Sequence, residues 1–174
     1  RKRFAREARA AAAVVHEHVV PIYNVETDRE TPFLVMHYIA GESLQGRIDC
    51  EGALELCEIL RIGMQVASGL SAAHQQGLVH RDIKPSNILY TQEGDVRIID
   101  FGIALIDGSD MSRIEGIAGS PSYMSPEQVQ SQELTNRSDL YSLGAVMYEL
   151  LTGTRPFRAG NLAAAAGRHE PQSI

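Results

Sequence analysis

HRDIKPSNILYTQEGDVRIIDFG, residues 80–102, decides the reading of this 174-residue chain. Asn87-Ile88-Leu89-Tyr90 and Val96-Arg97-Ile98-Ile99 are short apolar runs around the turn signal Gln92-Glu93-Gly94-Asp95. Such a pattern predicts two strands joined by a tight connection. The hairpin would set Asn87, at its start, near Asp100, at its end. Asp82 and Lys84 lie just ahead of the first strand, so two carboxylates, an ammonium and an amide converge on one place. Any one of them alone reads as a cap or a solvated surface group; the set at this spacing carries the weight.

Working outward, further segments join it: VMHYIAGESL (35–44), GSPSYMSPEQ (119–128), RSDLYSLGAVMYELLTG (137–153) and RPF (155–157). With HRDIKPSN (80–87) and IIDFGIA (98–104), they make the chain resemble the eukaryotic-like serine/threonine protein kinases of bacteria. Five fixed positions in the 80–87 run would recur by chance about once in several million starting points. Lys84 favours the serine/threonine class over the tyrosine class. Met124-Ser125-Pro126-Glu127-Gln128 gives the bacterial flavour. The fold implied is α+β, a protein-kinase-like bilobal fold. Residues 1–36 would belong to the small lobe, 37–40 to a hinge and 41–174 to the large lobe.

The resemblance implies a chemistry. A transferred phosphoryl group is crowded with negative oxygens, so its catalysis is mostly positioning and charge neutralisation. Asp82 would accept or orient the proton of the attacking hydroxyl, and Lys84 would reach the γ-phosphate of ATP. Asn87 and Asp100 would hold Mg²⁺, to which carboxylate and amide oxygens are suited. Met36 would guard the back of the adenine pocket, His37 and Ile39 would meet adenine through backbone groups, and Leu89 would form its floor. Glu7 would be the ion-pairing glutamate of the first helix. His80, Phe101 and Gly102 would be structural, Phe101 by packing and Gly102 by backbone freedom. Arg81 would bind a phosphate on the loop 103–118, where Ser112 is the preferred acceptor and Ser109 the second. Ser120 would offer its hydroxyl to Asp82 and Lys84. Glu127 would await an arginine partner, and Asp139 would bind backbone amides of the 80–87 loop.

The rest of the chain is read from its patterns. Residues 1–15 are rich in Ala, Arg and Glu and predict a helix; their likeness to a targeting peptide is outweighed by that fit. His16 reads as a packing histidine, not part of a metal motif with His18. Val19–Val25 and Phe33–Ile39 predict strands joined by a polar turn. Leu54–Gln76 is amphipathic, with Ile59, Leu60, Met64, Val66, Leu70 and Ala73 as its apolar positions and Gly77 as its stop. Asp139–Leu151 is apolar on nearly all sides and predicts a buried helix, capped by Ser138 or Asp139 and closed by Gly153. Asn136-Arg137-Ser138 spells a glycosylation sequon but reads as the start of that helix.

Hydrophobic content of 44%, charged content of 22% and net charge of −6 describe an ordinary globular composition. The negative balance argues against a nucleic-acid binder. No apolar run reaches membrane-spanning length. Cys50 and Cys57 form no disulfide framework and are expected on one helical face, in a reducing, cytoplasmic setting. The expected partners are ATP and protein substrates, with dimerisation as a route to autophosphorylation.

The sequence holds no G-x-G-x-x-G run and no strand lysine to pair with Glu7. The expectation is therefore a kinase domain cut on both sides, poorly active as it stands. The competing readings are a pseudokinase scaffold and a small-molecule phosphotransferase. Retention of Asp82, Lys84, Asn87 and Asp100 weighs against the first, and the Ser125-Pro126-Glu127 segment against the second.

Overall fold

The computed structural model describes residues 8–26, 33–101 and 121–156. Residues 8–12 are helical and followed by a turn at 13, so the helix ends earlier than residue 15. Strand β1 (Ile22–Glu26) pairs antiparallel with β2 (Phe33–Met36), with Asn24 opposite Val35 and Glu26 opposite Phe33, and an irregularity between Asn24 and the Ile22–Met36 pair. β2 stops at Met36, short of the expected Ile39, and β1 starts at Ile22; Val19 instead forms an isolated parallel bridge to Ile98. A second, three-stranded antiparallel sheet has the order β3 (Gly41–Ser43), β4 (Ile88–Thr91), β5 (Val96–Ile98). Its β4–β5 half is the hairpin expected from the sequence, with Ile88 opposite Ile98 and Tyr90 opposite Val96.

Four further α-helices, α1 (Leu44–Glu51), α2 (Leu56–Gln75), α3 (Pro126–Val129) and α4 (Asn136–Thr152), and two 3-10 turns, Pro85–Asn87 and Pro121–Tyr123, complete the described chain. Ser43 caps α1, its side chain accepting from the Gly46 amide at 3.2 Å. Ile59, Ile62, Val66, Leu70 and Ala73 make the buried stripe of α2, a 3.6-residue repeat facing β5 and α4. Leu60 and Met64 fall off that stripe and are 50% and 74% exposed, so they are not core. α4 buries Leu143, Val146 and Leu150 on one side, while Leu140, Tyr148 and Leu151 are about half exposed. It is not buried all round among the described residues. Each fully buried Leu or Val in this core contributes about 1.5–3 kcal/mol relative to exposure.

The cap of α4 differs from the expectation. Thr135 accepts from the helix, and Ser138 Oγ in turn accepts from the Thr135 amide as the third residue of a capping box. Gly77 and Gly153 close α2 and α4 at φ 72° and 68°, a region that L side chains resist. Cys50 and Cys57 sit on different helices, α1 and α2, and both are exposed thiols.

β3 lies so close to β4 that a Cβ on Gly41 would stand 2.1 Å from the Tyr90 carbonyl oxygen. Backbone cannot yield as a flexible side chain can. Gly41→Ala is expected to cost about 1–3 kcal/mol, read as a lower denaturant midpoint. A wild-type midpoint would contradict this packing.

Candidate active site

The segment Leu78–Asn87 runs from the end of α2 into β4, and non-local bonds hold it in an unfavourable shape. Arg81 has φ 70° and Asp100 φ 55°, left-handed values that cost non-glycine residues about 1–3 kcal/mol. The Asp139 carboxylate, 1% exposed at the first turn of α4, offsets part of this. It accepts from the His80 amide at 2.8 Å, from the Arg81 amide at 2.8 Å and from His74 Nε2 at 2.7 Å. A carboxylate satisfied by such donors can be kept in a dry place.

His80, fully buried, links this segment to the approach to Asp100. Its Nδ1 accepts from the Asp82 amide at 3.2 Å, and its Nε2 donates to the Ile99 carbonyl at 2.9 Å. Those roles require the neutral ring with its proton on Nε2. Phe101 packs on it, with ring centroids 4.7 Å apart. Burial pushes the His80 imidazole below its ordinary 6.5, against the opposing pull of Asp139, the Ile99 carbonyl, Asp82 and Asp100. The unfolded chain takes up a proton near that value and the folded chain resists it. Stability is therefore complete above about pH 6.5 and falls as the pH drops below it. The thermal midpoint of the wild type should fall from pH 7.5 to 5.5. In His80→Gln the midpoint should be lower at neutral pH but less sensitive to acid. Equal acid sensitivity would remove His80 from this account.

The polar groups meet just beyond this frame. Lys84 Nζ contacts Asp82 Oδ2 at 2.7 Å, with both side chains partly exposed. Asn87 Nδ2 donates to Asp82 Oδ2 and to the Asp82 carbonyl, each at 2.9 Å. Its nitrogen is thus committed, and its carbonyl oxygen is the atom left to meet a cation. The Ile99 amide donates to the main-chain carbonyl of Asn87 at 3.0 Å, which brings Asp100 to one residue from that contact. The Asp100 side chain is exposed and lines an apolar crevice with Val20, Ile22, Leu34, Met36 and Ile99. Leu89 is half-buried in β4.

Of the hinge residues, His37 and Ile39 line a separate groove of about 310 Å³ with Tyr38, Ala40, Thr91, Glu93 and Arg97. The His37 side chain meets Tyr23 Oη at 2.6 Å, and its amide donates to the Pro21 carbonyl at 2.9 Å. Glu127 accepts from Ser138 Oγ at 2.6 Å. The buried histidine after the first helix is His18, bonded to the Val96 carbonyl at 3.1 Å; His16 is half-exposed and meets Ser68. Glu7, Gly102, Ser109, Ser112 and Ser120 lie outside the described residues. Two residues escaped the sequence reading: His74, through Asp139, and Gln128, whose Nε2 donates to the Arg81 carbonyl at 2.7 Å. The first carried no signal. The second was legible only as the last residue of the capping box Ser125-x-x-Gln128.

The Asn87 side-chain amide stands beside Lys84 and Asp82, and Asp100 follows the residue bonded to the Asn87 main chain; amide and carboxylate oxygens are the donor types that a hard divalent cation takes. Comparison with known proteins agrees. Residues 1–172 match the family described as the protein kinase domain. A probable serine/threonine-protein kinase of Clostridium perfringens is 41% identical over 169 residues, covering 97% of this chain and 25% of that protein. A serine/threonine-protein kinase of Corynebacterium efficiens is 44% identical over 173 residues, covering 96% and 33%. The serine/threonine-protein kinase PrkC of Bacillus subtilis is 38% identical over 169 residues, covering 97% and 26%. The chain spans about a quarter to a third of the length of these relatives.

Proposed function

Because this chain belongs to the protein kinase domain family, we propose that the protein containing it transfers the γ-phosphoryl group of ATP to serine or threonine hydroxyls of other proteins. The contact of Asp82 with both Lys84 and Asn87 is the observation that carries this reading. Asp82 orients the attacking hydroxyl and takes its proton. Lys84 sets a positive charge beside the transferred oxygens, and its contact with Asp82 fixes the spacing between base and phosphate. Asn87 and Asp100 would hold Mg²⁺, which when bound neutralises phosphate oxygens and orients them for in-line attack. Met36, beside Asp100 in the apolar crevice, limits the depth of the adenine pocket. Leu89 forms its floor, and the backbone groups of His37 and Ile39 supply its polar edge. Residues 1–36 then act as small lobe, 37–40 as hinge and 41–174 as large lobe.

Glu7 as ion-pairing glutamate, Ser112 and Ser109 as phosphate acceptors and Ser120 as the hydroxyl offered to Asp82 and Lys84 keep their family roles in this proposal, as does a dimer in which one copy phosphorylates another. Two exposed free thiols support a reducing, cytoplasmic location. Among the described residues, no helix is long and apolar enough to cross a membrane. The test is incubation of the full-length protein with γ-labelled ATP, Mg²⁺ and a generic protein substrate. Label on serine and threonine is expected. ATP binding without transfer would favour the scaffold reading instead.

A further inference from the structure

We propose that Gln128 is a positioning residue for this reaction, holding the peptide unit that carries Asp82; the proposal rests on the phosphotransferase reading. Asp82 can take a proton along one direction only if its backbone is fixed, and the residue before it is strained, with Arg81 at φ 70°. The peptide linking Arg81 to Asp82 is gripped at both edges. Its carbonyl accepts from Gln128 Nε2 at 2.7 Å, and its amide donates to His80 Nδ1 at 3.2 Å. The preceding peptide is held by Asp139 through the Arg81 amide. Three clamps from three parts of the chain thus resist relaxation of one residue.

The Gln128 amide is itself immobilised. Its Oε1 accepts from the Ser125 amide at 2.9 Å, and its own backbone amide donates to Ser125 Oγ at 3.3 Å. Ser125 is fully buried, and the neighbouring Glu127 accepts from Ser138 Oγ at the first turn of α4. Turning the Gln128 side chain to release Arg81 would therefore break the cap of α3.

The residue type follows from this double duty. A capping box is closed equally well by Glu or Gln, since only an acceptor oxygen is needed. The second bond needs a donor on the same side chain. A carboxylate would keep the cap but face the Arg81 carbonyl with another oxygen; only the amide serves both ends.

Gln128→Glu in the full-length protein separates the two duties. Amide hydrogen exchange across 79–83 reports the tether without reference to catalysis, and kcat with KM for ATP reports its consequence. The expected result is a thermal midpoint below wild type, because the carboxylate meets the Arg81 carbonyl oxygen to oxygen, faster exchange at 79–83, and kcat reduced about ten- to a hundredfold with KM for ATP unchanged. Gln128→Ala, which removes the donor without adding charge, should show the same exchange and kcat effects, with a lower thermal midpoint because the cap is lost. Should the Glu variant fail to fold, the Ala variant decides alone. Unchanged exchange in a folded variant, or faster exchange with wild-type kcat, overturns the proposal. A wild-type protein that transfers no phosphoryl group in the same assay overturns the phosphotransferase reading instead, and exchange then still decides the tether.

Discussion

Asp82→Asn is expected to lower kcat by about 10²–10⁴-fold, the usual contribution of a positioned general base, while leaving affinity for Mg²⁺–ATP within about threefold. The structure explains why the two effects separate. Asp82 accepts from Lys84 Nζ and Asn87 Nδ2 through one oxygen. An asparagine oxygen at that place can accept both bonds, so the arrangement of Lys84 and Asn87 survives. What it lacks is the basic lone pair that receives the hydroxyl proton. Asn87 and Asp100, the groups assigned to the metal, are untouched. Steady-state kinetics with a peptide substrate and direct nucleotide binding check the split. Turnover within threefold of wild type would remove Asp82 from the chemistry, and parallel loss of both quantities would recast it as a binding residue.

Asp139→Ala should be the most destabilising single change in the site, at about 3–5 kcal/mol. The carboxylate is 1% exposed and is shared by two backbone amides and His74. Deleting it strands those donors in a dry pocket and releases Arg81 from its left-handed conformation. Thr135→Ala on the same helix removes only an exposed cap and should cost about 1 kcal/mol. Denaturant unfolding of the two variants side by side measures the difference. A loss below about 1 kcal/mol for Asp139→Ala would mean that the loop holds its shape by other means. Activity should fall with stability in Asp139→Ala, unlike Asp82→Asn, because the frame and not the chemistry has been removed.

The parts of this structure that were legible in the sequence are those specified locally. The β4–β5 hairpin followed from two apolar runs and a turn four residues long. The stops of α2 and α4 followed from Gly77 and Gly153, whose positive φ leaves few other choices of residue. α1 was missed: it is eight residues long, carries Gly46 and buries only Leu44 and Ile48, so its periodicity is faint. Leu60 and Met64, apolar positions of the same helix, are exposed, because an apolar residue on a helix says nothing about which side meets a neighbour. The bonds that tie the site together join residues far apart in the chain: His74 to Asp139 across 65 positions, Gln128 to Arg81 across 47. No spacing rule reaches them. The Asp139 role came from family resemblance alone, and the two amide bonds at 2.8 Å supply its geometry.

The central claim is that Asn87 and Asp100 converge on one metal–nucleotide site beside Asp82 and Lys84. Its most direct test is a crystal of the full-length protein with Mn²⁺ and a non-hydrolysable ATP analogue, read by anomalous scattering. The account predicts manganese peaks within bonding distance of Asn87 Oδ1 and the Asp100 carboxylate, with the γ-phosphate within reach of Lys84. Nucleotide bound with its metal elsewhere on the surface would contradict it.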